Sequence, residues 1–211
     1  MVTVMQIILQ PVLFEPDKDI LSLLEKVLLK EFNASSSIVT APPIKQISEQ
    51  QLLLLFDKQR NQWKSSDILK WLSDKYKKLY YSKERRRTTT KILAICDFDA
   101  YSGHLNFVFG EAYVDGSISA IYLPRLRQEF YGLKPDEPLF FQRLVKEAVH
   151  ELGHAFGLNH CKNIKCVMHF SNSLSDTAIP RTKDKSSDEV VNIVFSLIRQ
   201  YGTKGYQYSY I

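Results

Sequence analysis

The sequence predicts an α/β domain in which helices pack on a twisted mixed sheet. Three observations point there. Ile92-Leu93-Ala94-Ile95, inside Lys91–Cys96, is a continuous aliphatic run suited to a central strand buried on both faces. Residues 137–156 place Phe140, Leu144, Val145, Ala148, Val149 and Leu152 at helical spacing, which predicts one long amphipathic helix. Shorter β-branched runs at 3–9, 37–40 and 117–122 alternate with helical patterns, as in α/β folds. The 211 residues suit a single domain, 1–211, able to bury its own core.

In chain order, the strand at 3–9 is followed by a turn from Pro11 to Pro16. Asp17 or Asp19 then caps a helix carrying Ile20, Leu23, Leu24, Val27 and Leu28, which ends near Phe32. Ser37–Thr40 is a short strand stopped by Pro42-Pro43. Gln51–Phe56 is apolar without a clear period, and Asp57–Trp63 reads as a polar loop. Ser65–Tyr76 is a helix with Ile68, Leu69 and Leu72 on one face. A basic link, 77–88, leads into the central strand. Asp97 and Asp99, just beyond it, read as turn residues. Leu105–Val108 reads as an extended segment, and Glu111 as either a contact for a peptide amino terminus or a partner of Arg125 or Arg127. Asp136 starts the long helix, residues 161–183 lack a regular pattern, and Ser187 or Asp188 caps a last helix with Val190, Val191, Ile193, Val194, Leu197 and Ile198 apolar.

Composition excludes several classes. With 45% hydrophobic and 24% charged residues the chain is an ordinary globular one. Leu52–Phe56, its longest apolar run, is too short to span a bilayer, so no membrane partner is expected. Three cysteines do not make a secreted disulfide framework, and the first residues resemble a core strand more than a signal peptide, so the expected location is cytoplasmic. The net charge is +5 and the excess is partly local: Lys75, Lys77, Lys78, Lys83, Arg85, Arg86 and Arg87 crowd one connection, which reads as a solvated loop. No nucleic-acid partner is expected, because no recognition fold accompanies the charge. A monomer is expected.

The chemistry lies in His150–His160, HELGHAFGLNH. Two histidines four apart on a helix share a face and can converge on one ion. Neutral imidazole suits zinc, and a third protein ligand completes a catalytic site with one open position. His160 can be that ligand if the helix stops and the chain turns back, which Gly157 permits through its tolerance of left-handed backbone. Glu151 then stands beside the ion, where it can take a proton from water. His169 and His104 are weaker candidates, since the three-histidine set is already complete.

This run matches the metzincin pattern H-E-x-x-H-x-x-G-x-x-H. Cys161 follows directly, Cys166 completes C-x4-C, and Met168 comes two residues later. With Asn106–Ala112 (NFVFGEA) and Leu123–Leu126 (LPRL), the chain resembles the archaemetzincin family from about residue 90 to 175. The resemblance implies a metzincin-like fold, with residues 1–157 carrying the sheet and active-site helix and a smaller half, 158–211, carrying the Met-turn and last helix. It implies a zinc-dependent peptidase acting on peptides or unfolded polypeptide, with Glu151 as general base and acid and Met168 as an apolar floor under the metal. It also implies that Asn106, Phe107, Val108, Phe109 and Gly110 form a strand that pairs with substrate. Whether such an enzyme trims amino termini or cuts internally stays open. One departure stands out: Ser186 and Glu189 occupy positions where the family's closing cysteine pair would fall. A second, structural zinc is therefore expected to be absent or weak, with Cys161 and Cys166 free or joined to each other. A zinc-bearing peptide-binding module with little turnover is the alternative.

Overall fold

The computed structural model describes residues 4–32, 36–81, 88–164 and 166–170. The strands are β1 (Val4–Val12), β2 (Ser36–Thr40), β3 (Phe56–Asp57), β4 (Gln62–Lys64), β5 (Thr88–Cys96), β6 (Ala100–Tyr101), β7 (Gly110–Ala112) and β8 (Ile118–Tyr122). The α-helices are α1 (Lys18–Glu31), α2 (Glu49–Leu55), α3 (Ser65–Tyr81) and α4 (Glu137–Ala155). The main sheet has the order β2-β1-β5-β8-β7. Its first four strands are parallel, and the edge strand β7 runs antiparallel to β8. A second small sheet, β3-β4-β6, lies beside it.

The mixed sheet is buried on both sides, and the two-residue period of β5 shows how. Leu93 and Ile95 join a core with α1 and α4, while Ile92, Ala94 and Cys96 join a second core with α2 and α3. Lys91–Cys96 is central, as its composition predicts. Asp17 is the cap of α1, accepting from the Asp19 and Ile20 N–H groups, and Asp136 caps α4 through the Leu139 N–H at 3.0 Å. Phe140, Leu144, Val145, Ala148 and Leu152 of α4 are buried in the first core, with Val149 packed against it.

Four details differ from the sequence reading. Strand β1 does not turn at Pro11 but continues to Val12. The missing proline N–H is harmless there, because pairing with β2 has already ended at Leu9–Thr40, and the Pro11 carbonyl still accepts from Ile44 N at 3.0 Å. Residues 49–55 form a helix whose start is a reciprocal capping box between Ser48 and Gln51. The polar run after it is a hairpin, β3–β4. Asp97 and Asp99 are more than turn residues. Asp99 takes both Nε and Nη2 of Arg125, at 2.6 and 2.8 Å, and Asp97 takes Nη1 of Arg127 at 2.5 Å. The expected last helix and tail lie outside the described residues.

A buried lysine fixes where α4 ends. Lys91 is 6% exposed and donates from Nζ to the Ala155 carbonyl at 2.6 Å and the Gly116 carbonyl at 2.7 Å. A cation at a helix C-terminus is favourable, and here it satisfies a carbonyl that no intrahelical donor reaches. Burial lowers the Lys91 pKa, with Asp115 opposing that shift. Lys91→Met, which keeps the stem and removes the donor, is expected to cost about 2 kcal/mol and to lower the thermal midpoint by roughly 4–8 °C. A thermal melt checks this.

Candidate metal centre and cleft

One face of α4 is polar where the rest is core. Glu147, His150, Glu151 and His154 follow the spacing of a single helical stripe and all line one cleft of about 460 Å³. The helix then ends in a Schellman motif. Gly157 has φ +93°, its N–H donates to the His154 carbonyl at 2.8 Å, and the Leu158 N–H donates to the Gly153 carbonyl at 2.9 Å. The chain reverses and brings His160 back to the two helical histidines.

Ligand atoms of His150, His154 and His160 lie within 4.8 Å of one another, the grouping of metal-ligating side chains found among the described residues. Nε2 of His154 is 3.0 Å from Nε2 of His150 and 3.1 Å from Nε2 of His160. Nδ1 of His150 lies 2.7 Å from the Val167 carbonyl, and Nδ1 of His154 lies 2.7 Å from the Leu158 carbonyl. A carbonyl only accepts, so both Nδ1 atoms carry the proton and both Nε2 atoms present lone pairs. Facing lone pairs at such distances repel unless a cation lies between them, so the donor set fits a metal ion. Zinc suits three imidazoles of this kind. Burial lowers the His150 pKa to about 4, and burial with His154 nearby lowers that of His160, which keeps both in the neutral, ligating form.

The surroundings of the three ligands come from two further segments. Met168 is 5% exposed and packs beneath the helix, where a Cβ on Gly153 would meet its Sδ at 2.5 Å. The Met168 carbonyl accepts from Cys161 N at 2.8 Å, tying the loop to the residue after the third histidine. On the opposite side, Gly110 of the edge strand lies against Glu151, and a Cβ there would meet Glu151 Cγ and Oε1, each at 2.5 Å. Glu151 is 4% exposed, and its Oε2 is buried without a hydrogen-bond partner. Desolvation, then Glu147 and Glu111, raises its pKa well above the ordinary carboxylate value.

Regular strand pairing in the cleft wall begins later than Leu105–Val108. Of the residues Asn106 to Gly110, Gly110 alone falls in β7, and the others form an irregular rim. That rim is held by Gln62 Nε2 to the Asn106 carbonyl at 2.9 Å and Arg60 Nη1 to the Leu105 carbonyl at 3.2 Å. Glu111 does not pair with Arg125 or Arg127, which Asp99 and Asp97 occupy. Its Oε1 accepts from Ser102 at 2.9 Å and Ser66 at 3.3 Å, and its Oε2 is buried and unpartnered. His169 does not line the cleft and has Nδ1 3.0 Å from the Cys161 carbonyl, and His104 is exposed outside the cleft. Cys161 and Cys166 are free and half-buried. Ser171, Asn172, Ser173 and Asp176, polar residues near enough to the site in sequence to be candidates for orienting the ligands, lie outside the described residues.

The sequence reading passes over Glu147, although its place three before His150 and four before Glu151 would have put it on the same stripe. Glu147 is 3% exposed with Oε1 unpartnered, and desolvation raises its pKa to about 7.

A parallel-dominated sheet with an antiparallel edge strand, set over a helix that ends in three converging imidazoles and a carboxylate, is the arrangement of a metzincin-type zinc metallopeptidase. Comparison with known proteins agrees. Residues 24–185 match peptidase family M54. The archaemetzincin of Pyrococcus furiosus is 38% identical over 168 residues, 78% of this chain and 81% of that protein. The archaemetzincin of Pyrococcus horikoshii is 44% identical over 59% of this chain and 62% of its own length, so that alignment spans under two thirds of the relative. The archaemetzincin structure from Archaeoglobus fulgidus, a complex with malonate, superposes with a TM-score of 0.61 and 30% identity, covering 88% of this chain and 99% of that one. A zinc-dependent peptidase structure from Methanocorpusculum labreanum gives a TM-score of 0.65 at 25% identity, covering 88% and 100%. The chain belongs to the archaemetzincins, peptidase family M54, and is a zinc metallopeptidase.

Glu147 also makes the stability of the metal-free protein depend on pH in a defined direction. In the unfolded chain it ionises near its ordinary 4.5, and in the fold near 7. Below 4.5 both states are protonated and nothing is lost. As pH rises to 7 the unfolded state ionises first, so stability falls. Glu147→Gln removes that loss. With the metal chelated, its stability relative to wild type is expected to grow by about 3 kcal/mol between pH 4.5 and 7.5, read from denaturant midpoints.

Proposed function

We propose that the chain hydrolyses peptide bonds, with Glu151 as the proton-transfer residue beside a single zinc ion held by His150, His154 and His160. The observation that carries this reading is the convergence of three imidazoles, on ligand atoms within 4.8 Å of one another, next to a buried carboxyl lodged against the edge strand. A zinc ion at that point supplies Lewis acidity, lowering the pKa of a water and polarising a carbonyl. Glu151 accepts a proton from the attacking water and delivers it to the leaving amine. The outer edge of β7, with the rim Asn106–Gly110, offers main-chain groups to an extended peptide, so the substrate is a peptide or an unfolded segment. Met168 is the floor that keeps the helical ligands in place.

The narrower form of the reading is removal of residues from a free amino terminus. Glu111, with its unpartnered Oε2 in the cleft, is the group that supports it. The cytoplasm is the proposed location. Among the described residues no helix is long and apolar enough to cross a membrane.

Glu151→Gln is expected to keep its metal and lose roughly 10²–10⁴-fold in hydrolysis of a peptide library. Gly110→Ala, which drives a methyl group into Glu151, is expected to lower the rate with metal content unchanged. Wild type and Glu151→Gln that are equally inert, yet both bind peptides, would indicate a binding module instead.

A single ion is the other measurable part of the proposal. Cys96 is fully buried with its thiol pKa pushed far up by desolvation, which leaves Cys161 and Cys166 without a third thiol. Metal analysis of the purified chain is expected to give about one zinc per chain, and two would overturn this part.

A further inference from the structure

The histidine stripe of α4 begins with a side chain that the peptidase reading does not use. Glu147 lies four residues before Glu151, about 6 Å along the helix axis. It lines the same cleft, is 3% exposed, and has Oε1 buried with no hydrogen-bond partner. We propose that Glu147 is a specificity-determining residue that receives the ammonium or guanidinium of a lysine or arginine side chain next to the cleaved bond. This rests on the peptidase reading and names a substrate class within it.

An unpaired carboxylate away from water is costly, and a cation that enters recovers much of that cost. Lys146 attracts Glu147 from the neighbouring position but does not satisfy Oε1. Among the described residues lining the cleft are three acids, Glu111, Glu147 and Glu151, and no lysine or arginine. Phe107, Val108 and Phe109 give the same cleft apolar walls, against which a methylene stem can lie while its charged head goes deeper. An extended peptide advances about 3.3 Å per residue, so Glu147 lies one to two residues' span from Glu151. A substrate's own α-ammonium does not match that place. It is held within about 2.5 Å of the carbonyl carbon under attack, whereas a four-carbon arm reaches a turn further along the helix.

The test uses pairs of peptides that differ only in lysine against norleucine, or arginine against citrulline, at each position flanking the cleaved bond. Each pair is made with a free and with an acetylated amino terminus and given to the zinc-loaded full chain at pH 8. At one position the cationic member is expected to have a kcat/KM at least tenfold above its neutral partner, whether or not the peptide is acetylated. In Glu147→Gln the ratio is expected to fall below threefold, and in Glu147→Asp to be retained in part. Because each ratio is taken within one preparation, partial loss of folded enzyme cancels. A wild type that does not discriminate overturns the proposal. So does a ratio unchanged in Glu147→Gln, or one that disappears on acetylation. If no peptide is cut, the peptidase reading fails by itself. The same pairs are then titrated into zinc-loaded Glu151→Gln: tenfold tighter binding of the cationic member supports the role of Glu147, and equal binding overturns it.

Discussion

The reversal of the chain at Gly157 is the constraint on which the site depends. An α-helix alone can offer two imidazoles to one point, because only residues three or four apart share a face. A third must come from outside the helix, and here it arrives through a left-handed residue and two short hydrogen bonds that close the Schellman turn. The same turn places the Leu158 carbonyl where it fixes the tautomer of His154. Lys91 and the Asp115 N–H, which donates to the His154 carbonyl at 2.9 Å, hold the helix end from below. One change of backbone direction thus supplies a ligand, orients a second one and defines where the helix stops.

The sheet has a corresponding task. Its parallel strands are covered on both faces, so their composition is dictated by burial and little else. Only the antiparallel edge meets the cleft, and it does so through Gly110, where the backbone needs to approach Glu151 without a side chain between. The rim before it is irregular, and polar groups from the small sheet, Gln62 and Arg60, hold its carbonyls. Sheet core and cleft rim are therefore separate parts of the sequence.

How much of this was legible follows from which interactions are local. The central strand, the caps at Asp17 and Asp136, the helix face of α4 and the convergence of the three histidines are set by neighbours a few residues apart, and each can be read from spacing. The partners of Asp97 and Asp99 are 30 and 26 residues away, and no period in the chain announces them. The acceptor of Lys91, the Ala155 carbonyl, is 64 residues distant, and no neighbour in the chain points to it. Of the two readings of Glu111, the pairing with Arg125 or Arg127 fails for the same reason, since its partners are Ser102 and Ser66. Pro11 misled in the opposite sense: a residue that usually ends a strand is tolerated where the neighbouring strand has already stopped.

The acceptors that set the imidazole tautomers, Leu158 and Val167, act through main-chain carbonyls and not through side chains. Every amino acid carries that carbonyl, so the identity of residues 158 and 167 is free to drift while the orientation they impose is kept. Evolution can thus change the side chains at these two places without disturbing the ligands that their carbonyls orient.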